Sequence, residues 1–174
     1  MDIKLRPLKL TDADYMKEFT EDEDISRNLL FTRYPFPTEN MISFIKTSWE
    51  DKRNIHYAIA NENDEYIGTI SLKNISYIDK NAEYAIVTRK KYWGLNVASL
   101  ATDKILNYGF YTLNLNKIYL NVLSSNLRAI RFYKKYGFNQ EAIFKKHVYR
   151  NGDYVDLIWF SYFKNDFNDK RFKP

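Results

Sequence analysis

The sequence predicts a single α/β domain in which about four helices flank a mixed, mostly antiparallel sheet of about seven strands. The chain has 174 residues, which lies within the usual size of one domain. Its 45% hydrophobic content is typical of soluble globular proteins. Segments of strand and helix periodicity follow one another without a repeat or linker. We therefore expect one domain over residues 1–174, with a core at about 3–163 and a dispensable tail at 164–174.

The elements are predicted from apolar periodicity, caps and turn residues. Strands are expected at 3–8, 55–60, 66–73, 82–88, 117–123, 140–149 and 154–162. Helices are expected after an N-cap at Thr11-Asp12, after a cap at Thr38, at about 95–113, and at 126–136 before Gly137. Asn151-Gly152 predicts a tight hairpin. The acidic run 21–24 is expected to be a solvated face or turn, and two prolines make 29–37 a loop.

The composition excludes several classes of protein. With no cysteine, the chain has no disulfides and no thiol chemistry. Its two histidines, His56 and His147, are far apart and no carboxylate cluster accompanies them, so we expect no metal site. No apolar run reaches the roughly 20 residues that span a membrane, and the first residues are not typical of a signal peptide. We expect a cytoplasmic protein. The net charge of +5 suits an anionic ligand, either a phosphate-bearing cofactor or nucleic acid.

One segment has the pattern of an anion-binding site. The predicted strand 82–88 leads into the basic residues 89–91 and then into the N-terminus of the long helix. The first backbone N–H groups of a helix have no partner within it, and the helix dipole adds positive charge there. Gly94 lets the backbone approach a phosphate closely. Many surface loops are basic and carry one glycine, so this pattern alone is not specific.

A second motif follows the strand 117–123. Residues 124–138 read SSNLRAIRFYKKYGF. By itself this segment is a capped amphipathic helix with Ala129, Ile130, Tyr133 and Tyr136 packed inward. That interpretation does not explain why the motif occurs together with the Gly94 loop.

Taken together, the two motifs resemble the GNAT superfamily of acetyltransferases. The resemblance rests on Trp93-Gly94-x-x-x-Ala98 and on Asn126-x-x-Ala129-Ile130-x-x-Tyr133-x-Lys135-x-Gly137-Phe138. It extends over roughly residues 3–163 and is strongest to the branch with ribosomal-protein N-terminal and bacterial spermidine acetyltransferases. The family usually has a second glycine or alanine where this chain has Asn96. Asparagine adopts left-handed backbone more readily than most residues, so we expect the loop to keep its shape.

The resemblance implies a GNAT fold, with the sheet splayed between strands 82–88 and 117–123, and acetyl-CoA as the cosubstrate. It implies that Asn126 contacts the pantetheine or phosphate arm and that Tyr133 protonates the leaving thiolate. The backbone of Ile86 and Val87 would pair with the pantetheine arm, and the pyrophosphate would be held by backbone N–H groups of Trp93, Gly94, Leu95, Asn96, Val97 and Ala98.

Physical chemistry gives the proton transfers a reason. A primary amine of lysine type has a pKa near 10.4, so it arrives protonated and must lose a proton before it attacks a thioester. A tyrosine hydroxyl, with a pKa of about 10, is a reasonable donor to the departing thiolate. Glu83, on the same side of its strand as Ala85 and Val87, is the candidate base through a water molecule. The alternative is that Glu83 is only a surface carboxylate at the end of a strand.

The acceptor amine is the open question. The resemblance places the acceptor pocket at the loop after the first helix and at the last hairpin. The candidate binding residues are Phe31, Tyr34, Phe36, His147, Tyr149, Tyr154 and Asp156. Spermidine enzymes of this branch carry acidic residues in the first loop, whereas this chain has Arg33. We therefore favour a small molecule such as an amino sugar over a polyamine. A protein N-terminus and an aminoglycoside-like acceptor stay open.

Two other classes of function compete with this hypothesis. A nucleic-acid-binding module would explain the basic residues interleaved with aromatic ones at 89–93 and 128–150, but no known readout motif is present. A catalytically silent CoA-binding regulator would share the fold, and Tyr133→Phe would leave it unaffected. We expect a small-molecule partner, no nucleic acid and no membrane. The apolar late hairpin is compatible with a homodimer and equally with a buried sheet.

Overall fold

The computed structural model describes residues 1–30 and 37–167. Its strands are β1 Ile3–Pro7, β2 Ile55–Asn61, β3 Tyr66–Ser76, β4 Asn81–Thr88, β5 Lys117–Leu123, β6 Asn139–Arg150 and β7 Asp153–Phe163. Its α-helices are α1 Ala13–Met16, α2 Glu18–Glu21, α3 Glu23–Ser26, α4 Thr38–Ser48, α5 Val97–Asn107 and α6 Leu127–Tyr136. The candidate acceptor residues Phe31, Tyr34 and Phe36 lie outside the described residues, as do 168–174.

The strands form a seven-stranded sheet in the order β1-β2-β3-β4-β5-β7-β6. β1 pairs with β2, β2 with β3, β5 with β7 and β6 with β7, each time antiparallel. β4 and β5 are parallel, and their registered pairs run from Asn81–Lys117 to Glu83–Tyr119. The predicted mixed, mostly antiparallel sheet of seven strands is therefore confirmed.

The chain forms two compact units, one made of residues 1–75 with 84–106 and the other of 76–83 with the chain from 107 onward. In the first unit, the short N-terminal helices and α4 bury an apolar core on the sheet. The core comprises Leu8, Ala13, Met16, Phe19, Ile25, Met41, Ile45, Ala58 and Tyr66, with Val87 and Trp93 packed against it. A core of this composition gains its stability from removing apolar surface from water.

In the second unit, α6 packs on one face of β5 and β7. Every second residue of β5, namely Ile118, Leu120 and Val122, is buried, as the period of two in a strand requires. Phe160 of β7 is fully buried, and its ring centroid lies 6.2 Å from that of Tyr133 on α6. The alternate residues of β5 are half-buried and point to the opposite face of the sheet.

Two helix predictions need correction. Asp12 is the N-cap residue of α1, as predicted, but its side chain makes no capping hydrogen bond to that helix: Asp12 also ends a 3₁₀ turn at Leu10–Asp12, and its carboxylate accepts two hydrogen bonds from Arg6 at 2.8 and 2.9 Å. The helix that follows is broken into α1, α2 and α3, and Asp22 of the acidic run caps α3 by accepting from the Asp24 N–H. Thr38 is the first residue of α4 rather than its cap, which is Pro37.

The long helix and the closing hairpin follow the predictions more closely. α5 ends at Asn107, and a π-helical turn at Tyr108–Thr112 completes the predicted segment 95–113. The turn is closed by the Leu113 N–H donating to the Tyr108 carbonyl at 3.0 Å. At the β6–β7 hairpin, Asn151 and Gly152 both have positive φ, 50° and 88°, as a type I′ turn requires.

Candidate active site

The loop that joins β4 to α5 presents a row of backbone donors. Gly94 and Asn96 have φ angles of 80° and 60°, so both take the left-handed conformation expected of them. A Cβ at Gly94 would meet nothing within 4 Å, so the backbone angle rather than space favours glycine there. Within the described part of the chain, the N–H groups of Gly94 and of residues 96–99 donate to no acceptor. They are available to an anion at the start of α5.

Two N–H groups of the predicted phosphate row are already engaged within the loop. The Trp93 N–H donates to the Lys90 carbonyl at 3.0 Å, and the Leu95 N–H donates to the Tyr92 carbonyl at 3.4 Å. The Trp93 indole donates to the Thr88 carbonyl at 3.2 Å, which holds the ring against the end of β4. The free donors are therefore those of Gly94, Asn96, Val97 and Ala98, followed by Ser99.

The three basic residues of the loop are paired with carboxylates of the same unit. Lys90 Nζ lies 2.7 Å from Asp24, and Lys91 Nζ lies 2.5 Å from Glu65. These pairs raise the pKa of both lysines, the hydrogen bond to the carboxylate being the largest cause in each case. The sequence alone did not reveal that these positive charges are neutralised locally.

Arg89 is the most deeply buried of the three. Its Nε and Nη2 donate to the two carboxylate oxygens of Glu18 at 2.9 and 2.6 Å, a bidentate geometry. Its Nη1 donates to the Tyr66 carbonyl at 3.1 Å and to Glu65 at 3.3 Å. The guanidinium carbon lies 4.4 Å from the centroid of the Tyr15 ring. Sequence reasoning missed this role, because its partners lie 23 to 71 residues away.

Ile86 and Val87 lie in the part of β4 that follows its last registered pair with β5. Both are half-buried, and Val87 packs against the core of the first unit. A Cβ at Gly68 of β3 would lie 2.2 Å from the Val87 carbonyl oxygen, so β3 approaches this stretch of β4 closely. The packing fixes the strand end from which the donor loop begins.

Asn126 is the N-cap of α6. Its side-chain oxygen accepts from the Ala129 N–H at 3.2 Å, which satisfies one of the first donors of the helix. Among the described residues its side-chain nitrogen has no acceptor. The oxygen of the Asn126 side chain is therefore used within the helix cap, and its nitrogen is left to donate to a ligand.

Tyr133 lies on the inner side of α6 and is 8% exposed. Its ring centroid is 5.4 to 6.2 Å from those of Phe132, Phe138 and Phe160. Burial among these rings raises the pKa of the Tyr133 hydroxyl well above its usual value. The side chain therefore keeps its proton at neutral pH, as a proton donor must.

Glu83 lies beside two residues of β5 that sequence reasoning did not select. The Asn121 side-chain nitrogen is 3.5 Å from Glu83 Oε1, and Tyr119 is the registered partner of Glu83. Burial, and after it the charge of Glu83, raises the pKa of Tyr119. The strand period could have identified both, since Tyr119 and Asn121 alternate with the buried residues of β5. The Tyr119 ring in turn stacks on Trp159 of β7 at 5.7 Å.

The candidate acceptor residues of the late hairpin surround a bulge, and all are exposed except Asp156, which is half-buried. Lys145, Lys146 and His147 form an extra segment between the pairs Phe144–Leu157 and Val148–Val155. The Asp156 carboxylate holds it, accepting from Lys145 Nζ and from the Lys146 N–H, both at 2.8 Å. The lysine bond and then the N–H bond lower the pKa of Asp156. The rings of Tyr149 and Tyr154 face each other at 5.2 Å.

The predicted residues thus fall into two groups, each described within its own unit. Ile86, Val87 and the donor loop belong to the first unit, while Glu83, Asn126, Tyr133 and the late hairpin belong to the second. In the described ranges 1–30 and 37–167, no three histidine or carboxylate side chains are gathered as a metal ion would require. No helix in those ranges is both long and apolar enough to cross a membrane.

Comparison with known proteins identifies the family. The family described as acetyltransferase (GNAT) domain matches residues 2–139. An uncharacterized N-acetyltransferase, p20 of Bacillus licheniformis, is 29% identical over 168 residues, covering 95% of this chain and 94% of its own. The spermidine N(1)-acetyltransferase of Escherichia coli K12 is 29% identical over 170 residues, covering 95% and 88%.

The fold has close relatives among solved structures. The spermidine N-acetyltransferase of Vibrio cholerae, solved in complex with CoA and spermine, superposes with a TM-score of 0.87 at 24% identity. The superposition covers 94% of this chain and 96% of that one. It shows that the two proteins share a fold.

The family match, over most of this α/β chain, therefore defines an acyltransferase. The chain belongs to the GNAT acetyltransferase family, and it is an acetyl-CoA-dependent N-acetyltransferase. The resemblance seen in the sequence is confirmed at the level of the family.

Proposed function

We propose that this enzyme transfers the acetyl group of acetyl-CoA to the primary amine of a small molecule, by direct attack within a ternary complex. The observation that carries the proposal is the row of free backbone N–H groups at Gly94 and 96–99, at the N-terminus of α5. Such donors, together with the helix dipole, bind phosphate oxygens without a charged side chain. The donor set fits the pyrophosphate of the cosubstrate, which supplies an acetyl thioester when bound.

Each remaining residue has one task in this proposal. The backbone of Ile86 and Val87 would pair with the pantetheine arm, and the free amide nitrogen of Asn126 would donate to the same arm or to a phosphate. Glu83 would accept the proton of the incoming ammonium through a water molecule, so that the amine can attack. Tyr133 would give its proton to the sulfur as the carbon–sulfur bond breaks and the carbon–nitrogen bond forms.

The acceptor pocket is proposed at the first loop and the late hairpin. Phe31 and Tyr34 would contribute from the loop, and His147, Tyr149 and Tyr154 from the hairpin. Asp156 would act indirectly, because its carboxylate already holds the bulge that carries His147. Arg33 in the first loop disfavours a polycation, so an amino sugar or a similar small amine is the first candidate.

A polyamine is the second candidate. It is favoured by the similarity of this chain to spermidine acetyltransferases over nearly its whole length. Acetylation of a protein N-terminus is a further alternative.

An acceptor panel tests the proposal. Purified enzyme with acetyl-CoA would be offered a hexosamine, spermidine and a short peptide with a free N-terminus, while the release of CoA thiol is followed. We expect turnover with the hexosamine. Turnover with spermidine alone would replace the first candidate by the second, and turnover with the peptide alone would favour acetylation of a protein N-terminus.

Further proposals concern the compartment, the cofactor requirement, the oligomeric state and the extent of the domain. We propose that the enzyme acts in the cytoplasm, which its lack of cysteine supports, and that it requires neither metal nor nucleic acid. A homodimer through the late hairpin is compatible with the exposed apolar residues Ile143, Phe144 and Tyr154. The assignment of residues 1–174 to one acetyltransferase domain is likewise a prediction.

A further inference from the structure

We infer that Arg89 is a positioning residue for the cofactor loop, acting through Glu18 of α2 rather than by touching a phosphate. This inference rests on the proposed role of residues 94–99 in binding acetyl-CoA. Arg89 stands at the junction where β4 ends and the loop begins, five residues before Gly94. Its N–H donates to the Ile67 carbonyl at 2.9 Å, so its backbone is fixed to β3 while its side chain reaches the N-terminal helices.

Four of the five N–H groups of the guanidinium donate to acceptors within the first unit, so its hydrogen-bonding capacity is mostly used inside the protein. The guanidinium donates to both carboxylate oxygens of Glu18, and its Nη1 donates to the Tyr66 carbonyl and to Glu65. One face of the group lies over the Tyr15 ring. The Arg89 side chain is 8% exposed, whereas that of Glu18 is 38% exposed. The arginine is therefore the buried centre of the cluster, and Glu18 is its accessible partner.

Lys90 and Lys91 extend the same cluster along the loop. They bind Asp24 of α3 and Glu65, which directly precedes β3. Three consecutive loop residues are thus attached to three separate parts of the first unit. A left-handed angle at Asn96 is uncommon for a free chain, and Gly94 in a free chain adopts many other angles, so an anchored stem restricts the loop to this conformation. Preorganised donors bind an anion more tightly than donors that must first be ordered.

The effect of Glu18→Gln on acetyl-CoA binding has the opposite sign depending on whether Arg89 acts by its charge or by positioning the loop. If Arg89 and its neighbours acted on the phosphates only through charge, removing the negative charge of Glu18 would tighten the binding of an anionic cosubstrate. If Arg89 acts by positioning the loop, the loss of its charged bidentate partner loosens the stem and weakens binding. The sign of the change in Kd therefore distinguishes the two.

The test compares Glu18→Gln with Glu21→Gln, a matched change of an exposed carboxylate on the same helix, and with Arg89→Lys. Kd for acetyl-CoA would be measured by calorimetry, and kcat and KM with an accepted amine. We expect Glu18→Gln to raise Kd and KM for acetyl-CoA about tenfold with kcat within twofold. We expect Arg89→Lys to weaken binding although it keeps the charge, and Glu21→Gln to stay within twofold of the wild type.

A Kd for Glu18→Gln that equals or falls below the wild-type value would overturn the inference. If the melting temperature of that variant also drops, the pair between Glu18 and Arg89 has only a structural role. Wild-type enzyme that fails to bind acetyl-CoA would instead remove the proposed function, and the inference with it. Circular dichroism of each variant establishes that it is folded. If Arg89→Lys does not fold, Glu18→Gln decides the question, because Glu18 is partly exposed and Arg89 keeps Glu65 and the Tyr66 carbonyl as partners in that variant.

Discussion

Tyr133 is placed where burial keeps its hydroxyl protonated. The rings of Phe132, Phe138 and Phe160 surround it, and the resulting loss of hydration raises its pKa. A raised pKa makes a tyrosine a weaker acid but secures its proton at every physiological pH. The proposed role therefore requires the hydroxyl to lie close enough to the sulfur to transfer its proton as the negative charge develops there.

Replacing Tyr133 by phenylalanine tests its role as a proton donor. We expect Tyr133→Phe to lower kcat about 100-fold, the lower end of what general acid catalysis contributes. Kd for acetyl-CoA should change less than twofold, because the ring and its packing remain. Tyr136→Phe on the same helix is the matched control and should keep its kcat. Equal kcat values for the two variants would show that Tyr133 only packs.

His56 is a half-buried titratable side chain, and it makes stability depend on pH. Its Nδ1 lies 2.7 Å from Ser71 Oγ, and its ring meets Phe44 edge-on at 4.8 Å. Burial, and after it the charge of Lys73, lowers the pKa of His56 to about 4, while Asp51 acts in the opposite direction. The unfolded chain, with a pKa near 6.5, therefore binds the proton first as the pH falls.

We expect the His56 contribution to stability to be full above about pH 6.5 and to be lost as the pH falls toward 4, by up to about 3 kcal/mol. His56→Gln keeps a hydrogen-bonding group near Ser71 and removes the titration, so its melting temperature should fall less between pH 7 and pH 4.5. His147→Gln, at the exposed histidine, is the control. Parallel melting profiles for wild type and His56→Gln would contradict this prediction.

At the scale of the elements, the strands were predictable and the N-terminal helices were not. β5 was predicted at its observed bounds, because its alternating apolar residues face α6 and the period of two leaves no ambiguity. Asn151-Gly152 identified the last hairpin because few residue pairs accept two positive φ angles. Asp12 lies at the predicted N-cap position, but local pattern could not show that Arg6 on β1 would bind its carboxylate in place of a capping hydrogen bond.

For the candidate site, too, local patterns were readable and long-range contacts were not. Local spacing in the motif selected four of the candidate residues, Gly94, Asn96, Asn126 and Tyr133. Arg89 and Asn121 depend on partners brought near by the sheet, which no spacing along the chain reveals. The sequence also predicted that the basic loop supplies positive charge, whereas in the structure Lys90 and Lys91 are paired with Asp24 and Glu65.

The donor loop should depend on a left-handed residue at position 96. Asn96 has a φ of 60°, and a β-branched residue there costs roughly 1–2 kcal/mol. We expect Asn96→Val to raise Kd for acetyl-CoA about tenfold and Asn96→Gly to bind at least as tightly as the wild type. Asn74→Val, at another asparagine of positive φ (50°), should lower stability without changing Kd. Equal Kd values for Asn96→Val and wild type would show that the loop binds no phosphate in this conformation.

The strand pair that leads into the loop should be sensitive at Gly68. A Cβ at Gly68 would lie 2.2 Å from the Val87 carbonyl oxygen and 2.8 Å from the Thr88 Cα, so the backbone of β4 must move. We expect Gly68→Ala to reduce the free energy of unfolding by about 2 kcal/mol or more, measured with urea. Gly152→Ala, where a Cβ meets nothing within 4 Å, should cost only about 1 kcal/mol from its φ of 88°. Equal losses would show that β3 has room for a side chain here.

For the whole molecule, binding of the cosubstrate should appear as thermal stability. A ligand that binds only the folded state, at 100 times its Kd, stabilises that state by about 2.7 kcal/mol. For a chain of this size, that corresponds to a rise in melting temperature of about 5–10 °C. Acetyl-pantetheine carries the same thioester but lacks the pyrophosphate, so at equal concentration it should give little or no shift. The two ligands differ in the pyrophosphate, which Gly94 and residues 96–99 are proposed to hold, and in the adenosine 3′-phosphate attached to it, so the comparison measures what the nucleotide half contributes to binding. Equal shifts for both ligands would mean that the pantetheine arm alone supplies the affinity, and that the free N–H groups at the start of α5 have another use.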